Sequence, residues 1–208
     1  MKTITLTEKD FKDGVYCGKH DLTNVEGNLE INATGWLRFN SDISAKGYIS
    51  AEGGIYAEGD ILARGGISAE GDILARGGIY AKGYILAKGD IYAEGGISAE
   101  GDISAKGDIL ANGDISAKGG ILKAVYGITA GLRIYAKTTI ESGMRIFAGT
   151  APWSWVTREH REIKCGKLLK GEIAYGDLVE TGLPEDKVEI VESKDEIILN
   201  GVKYRKAD

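Results

Sequence analysis

The sequence predicts an all-β protein: a triangular, single-stranded β-helix of about seven coils with a small C-terminal β domain. Three observations predict it. First, residues 45–122 repeat one six-residue phrase thirteen times without a gap: Ala, a charged residue, Gly, a variable residue, Ile, then Ser, Leu or Tyr. Asn112 alone breaks the rule of a charge at the second place. Second, six is not a helical period, which would be about 3.6, but it is a multiple of the two-residue period of a strand. Gly, Ile and Ala of each copy therefore fall on one side of an extended chain. The variable, Ser/Leu/Tyr and charged residues fall on the other. Third, the aliphatic beat outruns the perfect repeats. Counting back by six from Ile49 meets Ile43, Leu37, Ile31 and Val25, and beyond Ile121 the beat returns one residue late at Ile128, Ile134, Ile140 and Ile146.

The elements follow in order. Residues 1–24 are not repetitive and read as an N-terminal cap, because a solenoid end exposes unpaired strand edges and an open core. Ile4 and Leu6 alternate with Thr as in a short strand, and Thr7–Gly14 reads as a brief helical turn. Residues 25–147 form the β-helix. Three hexads per turn give a triangular coil, so residues 18 apart in the sequence stack, with rungs about 4.8 Å apart. The late beat places a one-residue insertion at Ala124-Val125-Tyr126-Gly127, which keeps Ile121 inside and sends Leu122 outward. Residues 148–208 break the pattern and read as a C-terminal cap or interaction domain. Glu162–Cys165, Gly171–Tyr175, Lys187–Glu192 and Glu196–Leu199 are candidate strands of a compact antiparallel unit, with a turn at Asn200-Gly201. Trp153 and Trp155 are expected to anchor that unit on the last coil.

Composition excludes several classes. The net charge of −5 disfavours a general binder of nucleic-acid backbone and is far from the density of a DNA mimic. There are 31 Gly and 2 Pro, and the Gly is periodic, which means backbone geometry or close packing rather than a flexible linker. Two cysteines make no disulfide framework. The N-terminal residues lack the apolar core of a signal peptide, and no stretch approaches the roughly 18 apolar residues of a membrane span. A cytoplasmic location is expected.

The outward positions carry what functional signal there is. The site after each Ile forms three columns. One reads Tyr56, Leu74, Tyr92 and Leu110 and continues, across the insertion, through Thr129 to Phe147. It alone has no Ser, and a contiguous apolar stripe marks an association surface; the alternatives are a solenoid face that simply tolerates Leu and Tyr, and cover by the terminal domain. The predicted interface residues are therefore Tyr56, Leu74, Tyr92, Leu110 and Phe147. One corner carries Lys46, Arg64, Lys82, Glu100 and Lys118. Its four cations are a candidate edge for a polyanion or an acidic partner, set against a solvated edge that keeps the rod dispersed.

No catalytic, cofactor or metal site is expected. Nucleophilic catalysis needs a base held beside a nucleophile, and the repeats hold no His and no loop excursion. Cys17 with His20 resembles half a metal site, and His160 with Cys165 the other half, but the two halves flank opposite ends of a stack roughly 30 Å long. Asp102 and Asp108 stand at the variable position and read as surface or turn residues rather than a catalytic pair. The regular Gly lacks the strand-loop-helix setting of a phosphate-binding loop. Ice binding would favour ranks of Thr, and residues 45–122 contain none.

Around Gly59-Asp60-Ile61-Leu62-Ala63, repeated in near-identical form, the chain resembles the bactofilins, polymer-forming cytoskeletal proteins with a triangular right-handed β-helix core. The resemblance covers about residues 25–147. It is also similar to the hexapeptide-repeat acyltransferases, whose β-helix is left-handed, but their catalytic His and protruding loop have no counterpart here. A folded C-terminal unit departs from the bactofilin pattern and would hinder end-to-end polymerisation. The expected function is a non-enzymatic scaffold that self-associates as a dimer or trimer through a side face, with a possible protein partner at residues 150–208. The alternatives are an inhibitor from a phage or mobile element that binds a host macromolecule, and third an acyltransferase.

Overall fold

The computed structural model describes residues 2–151 and 157–183 together with three further strands, Ile190–Glu192, Glu196–Leu199 and Val202–Arg205. It is an all-β solenoid of about eight turns. Each hexad makes one short strand of Ile, the outward residue and Ala, and each strand pairs in parallel with the strand one coil away: Ile67 with Ile49 and Ile85, Ile73 with Ile55 and Ile91, Ile79 with Ile61 and Ile97. We call the faces through Ile67, Ile73 and Ile79 faces A, B and C. Strands this short hold because every rung is hydrogen-bonded above and below, and the bonding continues round the corners. Gly83 N–H donates to Gly65 O at 3.0 Å, and Gly101 N–H to Gly83 O at 3.0 Å.

The core is a column of Ile and Ala. From Ile43 to Ile115 every hexad Ile is at most 1% exposed and every hexad Ala at most 7%. Burying each Ile contributes about 1.5–3 kcal/mol, and no polar group enters between them. The repeat Gly answers to close approach rather than to unusual backbone angles. None between 45 and 122 has positive φ. A Cβ at Gly83, however, would lie 2.8 Å from Gly66 N, so any larger residue would push adjacent coils apart.

The ends differ from a simple beat of six. Val25 pairs with Ala45 and Ile31 with Ala51, so both stand at the Ala position, and Leu29 takes the Ile position opposite Ile49. Phe39 likewise stands opposite Ala57. A two-residue excess near Gly35, at φ 80, absorbs the shift. These larger side chains fill the core where no coil follows. Phe39 meets Phe11 and Tyr16 with ring centroids 5.6 Å from each, and Phe11–Lys12 pairs antiparallel with Val15–Tyr16 across that end. Thr3–Thr7 adds a parallel rung on Asn28–Asn32, and the helical turn is a 3-10 turn over Glu8–Asp10.

The one-residue insertion lies earlier than the sequence suggests. Leu122 pairs with Ile103 and is 0% exposed, whereas Ile121 is 38% exposed. The extra residue therefore falls at Gly119-Gly120, and the expected outward Leu122 and inward Ile121 exchange places. The beat counted from Ile128 is compatible with either position, and the choice goes to the branched residue that lets Ala124 follow Leu122 inward. The C-terminal strands also differ from expectation. Glu162–Tyr175 is one strand, not two, and it pairs in parallel with Ile134–Phe147, extending the solenoid; Asp177–Glu180 adds a further parallel rung. Among the described C-terminal strands, antiparallel pairing is confined to those at 190–205. The Lys187 end of the third candidate strand, Trp153, Trp155 and the Asn200-Gly201 turn lie outside the described residues. No helix among the described residues is long and apolar enough to cross a membrane.

Candidate functional site

Face B carries the large outward column. Leu74 stands between Tyr56 and Tyr92, Tyr92 beside Leu110, Leu110 beside Thr129 and Thr129 beside Phe147. The strict register follows from the inward Ile-Ala pair, because a slip of one residue would turn Ile out. All five predicted interface residues are half-buried, each shielded by its neighbours one rung away. Charges brace the first rungs. The Arg38 guanidinium lies 5.5 Å from the Tyr56 ring centroid, Arg38 and Arg76 both pair with Glu58, and the Arg76–Glu58 contact is 2.7 Å. Hydrogen bonding to Tyr56, then the Glu58 charge, hold the Arg76 pKa above its ordinary value. Shallow cavities open at both ends of the column. One of about 500 Å³ lies over Trp36, Arg38, Tyr56 and Leu74. The other, about 790 Å³, lies over Leu110, Thr129, Phe147 and Met144, with the Arg145–Glu172 pair at 3.6 Å on its rim.

The predicted basic edge runs along face C. Lys46, Arg64, Lys82 and Lys118 stack beside the outward column Ser44, Leu62, Tyr80 and Ser98, with Glu100 among them. Lys46 pairs with Glu26 at 2.6 Å, while Arg64, Lys82 and Lys118 make no ion pair among the described residues. Because Ala136 pairs with Ala117, Lys137 continues the column. Sequence counting missed it, since the insertion makes that step 19 residues rather than 18.

A third set of residues, whose members Asp102 and Asp108 read from the sequence as surface or turn residues, fastens the coils together. Aspartates at the variable position bind the backbone of the next coil. Asp42 Oδ1 accepts from Asp60 N–H at 2.9 Å, and Asp60 Oδ1 from Gly78 N–H at 2.6 Å. On the corner before face B, Asp72, Asp90 and Asp108 accept in turn from Asp90, Asp108 and Gly127 N–H at 2.6–2.8 Å. These are charge-assisted bonds that fasten corner to corner. The recurrence of Asp at 72, 90 and 108, one coil apart, was the available signal. Asp102 does the same work, accepting from Ile121 N–H at 2.8 Å.

The two Cys-His pairs stay apart. Cys17 and His20 are exposed beside the first coil, while Cys165 is buried opposite Ala136 at the other end. His160 accepts from Thr157 N–H through Nδ1 at 3.1 Å. Burial first, and Glu180 second, push the Cys165 thiol up to about 11.

A family model described as "Haemagglutinin repeat" matches residues 22–140. No curated protein and no solved structure matches the chain.

Proposed function

The chain belongs to the haemagglutinin repeat family, and from that premise we propose that it is a non-enzymatic structural β-helix that self-associates through face B. The observation that supports this is the unbroken register of Tyr56, Leu74, Tyr92 and Leu110, four large groups in consecutive rungs with no Ser between them. A flat ladder of this kind offers an apolar strip that a second copy can cover with the same strip, the self-complementary arrangement of a two-fold dimer. Tyr is suited to such a strip, since its ring adds contact area and its hydroxyl remains bonded to water or partner. Contact along the side is favoured over a bactofilin-like end-to-end filament by the aromatic plug of Phe11, Tyr16 and Phe39, which fills the first coil.

Light scattering coupled to size exclusion tests the proposal. Wild type is expected to elute at twice the chain mass, and Tyr92→Glu at the mass of a single chain with an unchanged β-sheet spectrum. A wild type that is a monomer at tens of micromolar defeats it. Fractionation of the native host separates a cytoplasmic scaffold, as the sequence suggests, from a surface one.

A further inference from the structure

We propose that two copies meeting at face B lie antiparallel, each inserting its Trp36 into the cavity beside Leu110, Met144 and Phe147 of the other. This rests on the reading of face B as the association surface, and adds which way round the copies lie and what fills the larger cavity. Trp36 stands at the position just before a face B strand, opposite Gly54. The same position holds Asp72, Asp90, Asp108, Gly127 and Arg145 in the rungs that follow. Beside it runs the outward column, from Arg38 in the first of these seven rungs to Phe147 in the seventh. The cavities at the two ends both straddle these two columns, on the same side of the strip. Trp36, at 63% exposure, is the most exposed large apolar group among the described residues.

Seven rungs have a middle. A two-fold axis lying across the strip at the fourth, through Asp90 and Tyr92, exchanges the first rung with the seventh and the third with the fifth. Tyr92 then meets Tyr92, Leu74 meets Leu110 and Tyr56 meets Thr129. Arg38 meets the Phe147 ring, and Trp36 enters the cavity beside Arg145, so each end gains two cation–ring contacts. A two-fold axis along the solenoid would instead set Arg38 against Arg38 and Trp36 against Asn40, the residue one coil from Glu58. Area also favours the antiparallel contact. Seven rungs and a strand about four residues wide give a bare strip of about 29 by 13 Å, or about 400 Å² per copy. A stable pair buries about 800 Å² per partner. A buried Trp contributes about 150–250 Å², and the cavity it fills loses a comparable area, so two reciprocal insertions bring the contact to that size. Like charges oppose it, with Asp72 facing Asp108, Asp90 facing Asp90 and Glu94 facing Glu94. These lie at the edges of the strip, where salt screens them, and Oδ1 of Asp72, Asp90 and Asp108 is held by the next coil's backbone.

Crosslinking of the full chain by a short bismaleimide, in a Cys17→Ser background, tests this. Trp36→Cys and Met144→Cys are each expected to stay unlinked alone, and to give a covalent dimer when mixed. Thr129→Cys is expected to stay unlinked, because the antiparallel register holds its two copies four rungs, about 19 Å, apart. Trp36→Ala should weaken the dimer at least about tenfold by sedimentation with an unchanged melt, since the side chain is exposed and leaves the core intact. The arrangement is overturned, with face B still the association surface, if wild type is a dimer that Tyr92→Glu dissociates but Thr129→Cys links to itself, the mixture gives no product, or Trp36→Ala dimerises as tightly as wild type. A monomeric wild type defeats the face B reading and this inference together.

Discussion

The middle coils and the first coil solve one packing problem with different residues. In the middle, each strand contributes Ile and Ala inward, and the Ala is small because Ile from the neighbouring faces fills the centre. At the first coil the same two positions hold Leu29 with Ile31 and Leu37 with Phe39, and the bulk moves to the Ala site. The difference is one of neighbours. A middle rung is covered on both sides, so its volume is set. The end rung is covered on one side by the N-terminal segment instead of by another Ile-Ala coil, and larger groups meet that cover. A beat of six therefore identifies an inward position but not which inward position, and the pairing register decides.

The comparison can be broken in several ways. The largest effect is expected for Ile85→Glu in the middle of the stack, where an unpaired charge would sit at a fully buried site. A loss above about 4 kcal/mol is expected, and chemical denaturation should find no folded baseline; a wild-type midpoint would refute the inward column. Next come Phe39→Ala and Ala99→Phe as a pair. Removing the plug should cost about 3–5 kcal/mol. Adding the same ring at Ala99, 0% exposed, should cost at least about 3 kcal/mol. If Ala99→Phe were neutral, the ends and the middle would not differ in the way described.

A smaller contrast sharpens the insertion. Leu122→Ala should cost about 2–5 kcal/mol, and Ile121→Ala less than about 0.5 kcal/mol. Equal effects, or the reverse order, would restore the insertion to residues 124–127. The smallest effect concerns Cys165. Its folded pKa is raised to about 11 from the model-peptide value of 9.0, so the folded state holds the proton more tightly than the unfolded one. The stabilisation is complete below pH 9 and is lost as pH rises towards 11. Alkylation at pH 8 should label Cys17 quickly and Cys165 only after unfolding. Equal labelling rates would show that the last coil does not shield the thiol.

Much of the architecture is legible in the sequence because the repeat states its own register. Ile49, Ile67 and Ile85 are equivalent by inspection, and so are Tyr56, Leu74 and Tyr92. What was not legible lies where the repeat is interrupted. At Gly119-Gly120 the insertion leaves two adjacent aliphatic residues, Ile121 and Leu122, and either satisfies the pattern. The choice depends on the pairing of Ala105 with Ala124, a long-range fact. Lys137 was missed from the basic column for the same reason. The aspartates were misjudged differently. At the variable position Asp looks like an ordinary surface residue, and its bond to the next coil needs three-dimensional stacking to be seen. Glu162–Tyr175 read as antiparallel because alternating polar and apolar residues suit either pairing direction, and the neighbouring strand settles it.

Small-angle scattering of the full chain, with mass determined on the same sample, tests the central claim most directly. Two rods joined along face B would give twice the chain mass with nearly the length of one rod and a broader cross-section. A profile at single-chain mass, or a doubled mass with a doubled length and an unchanged cross-section, would contradict it.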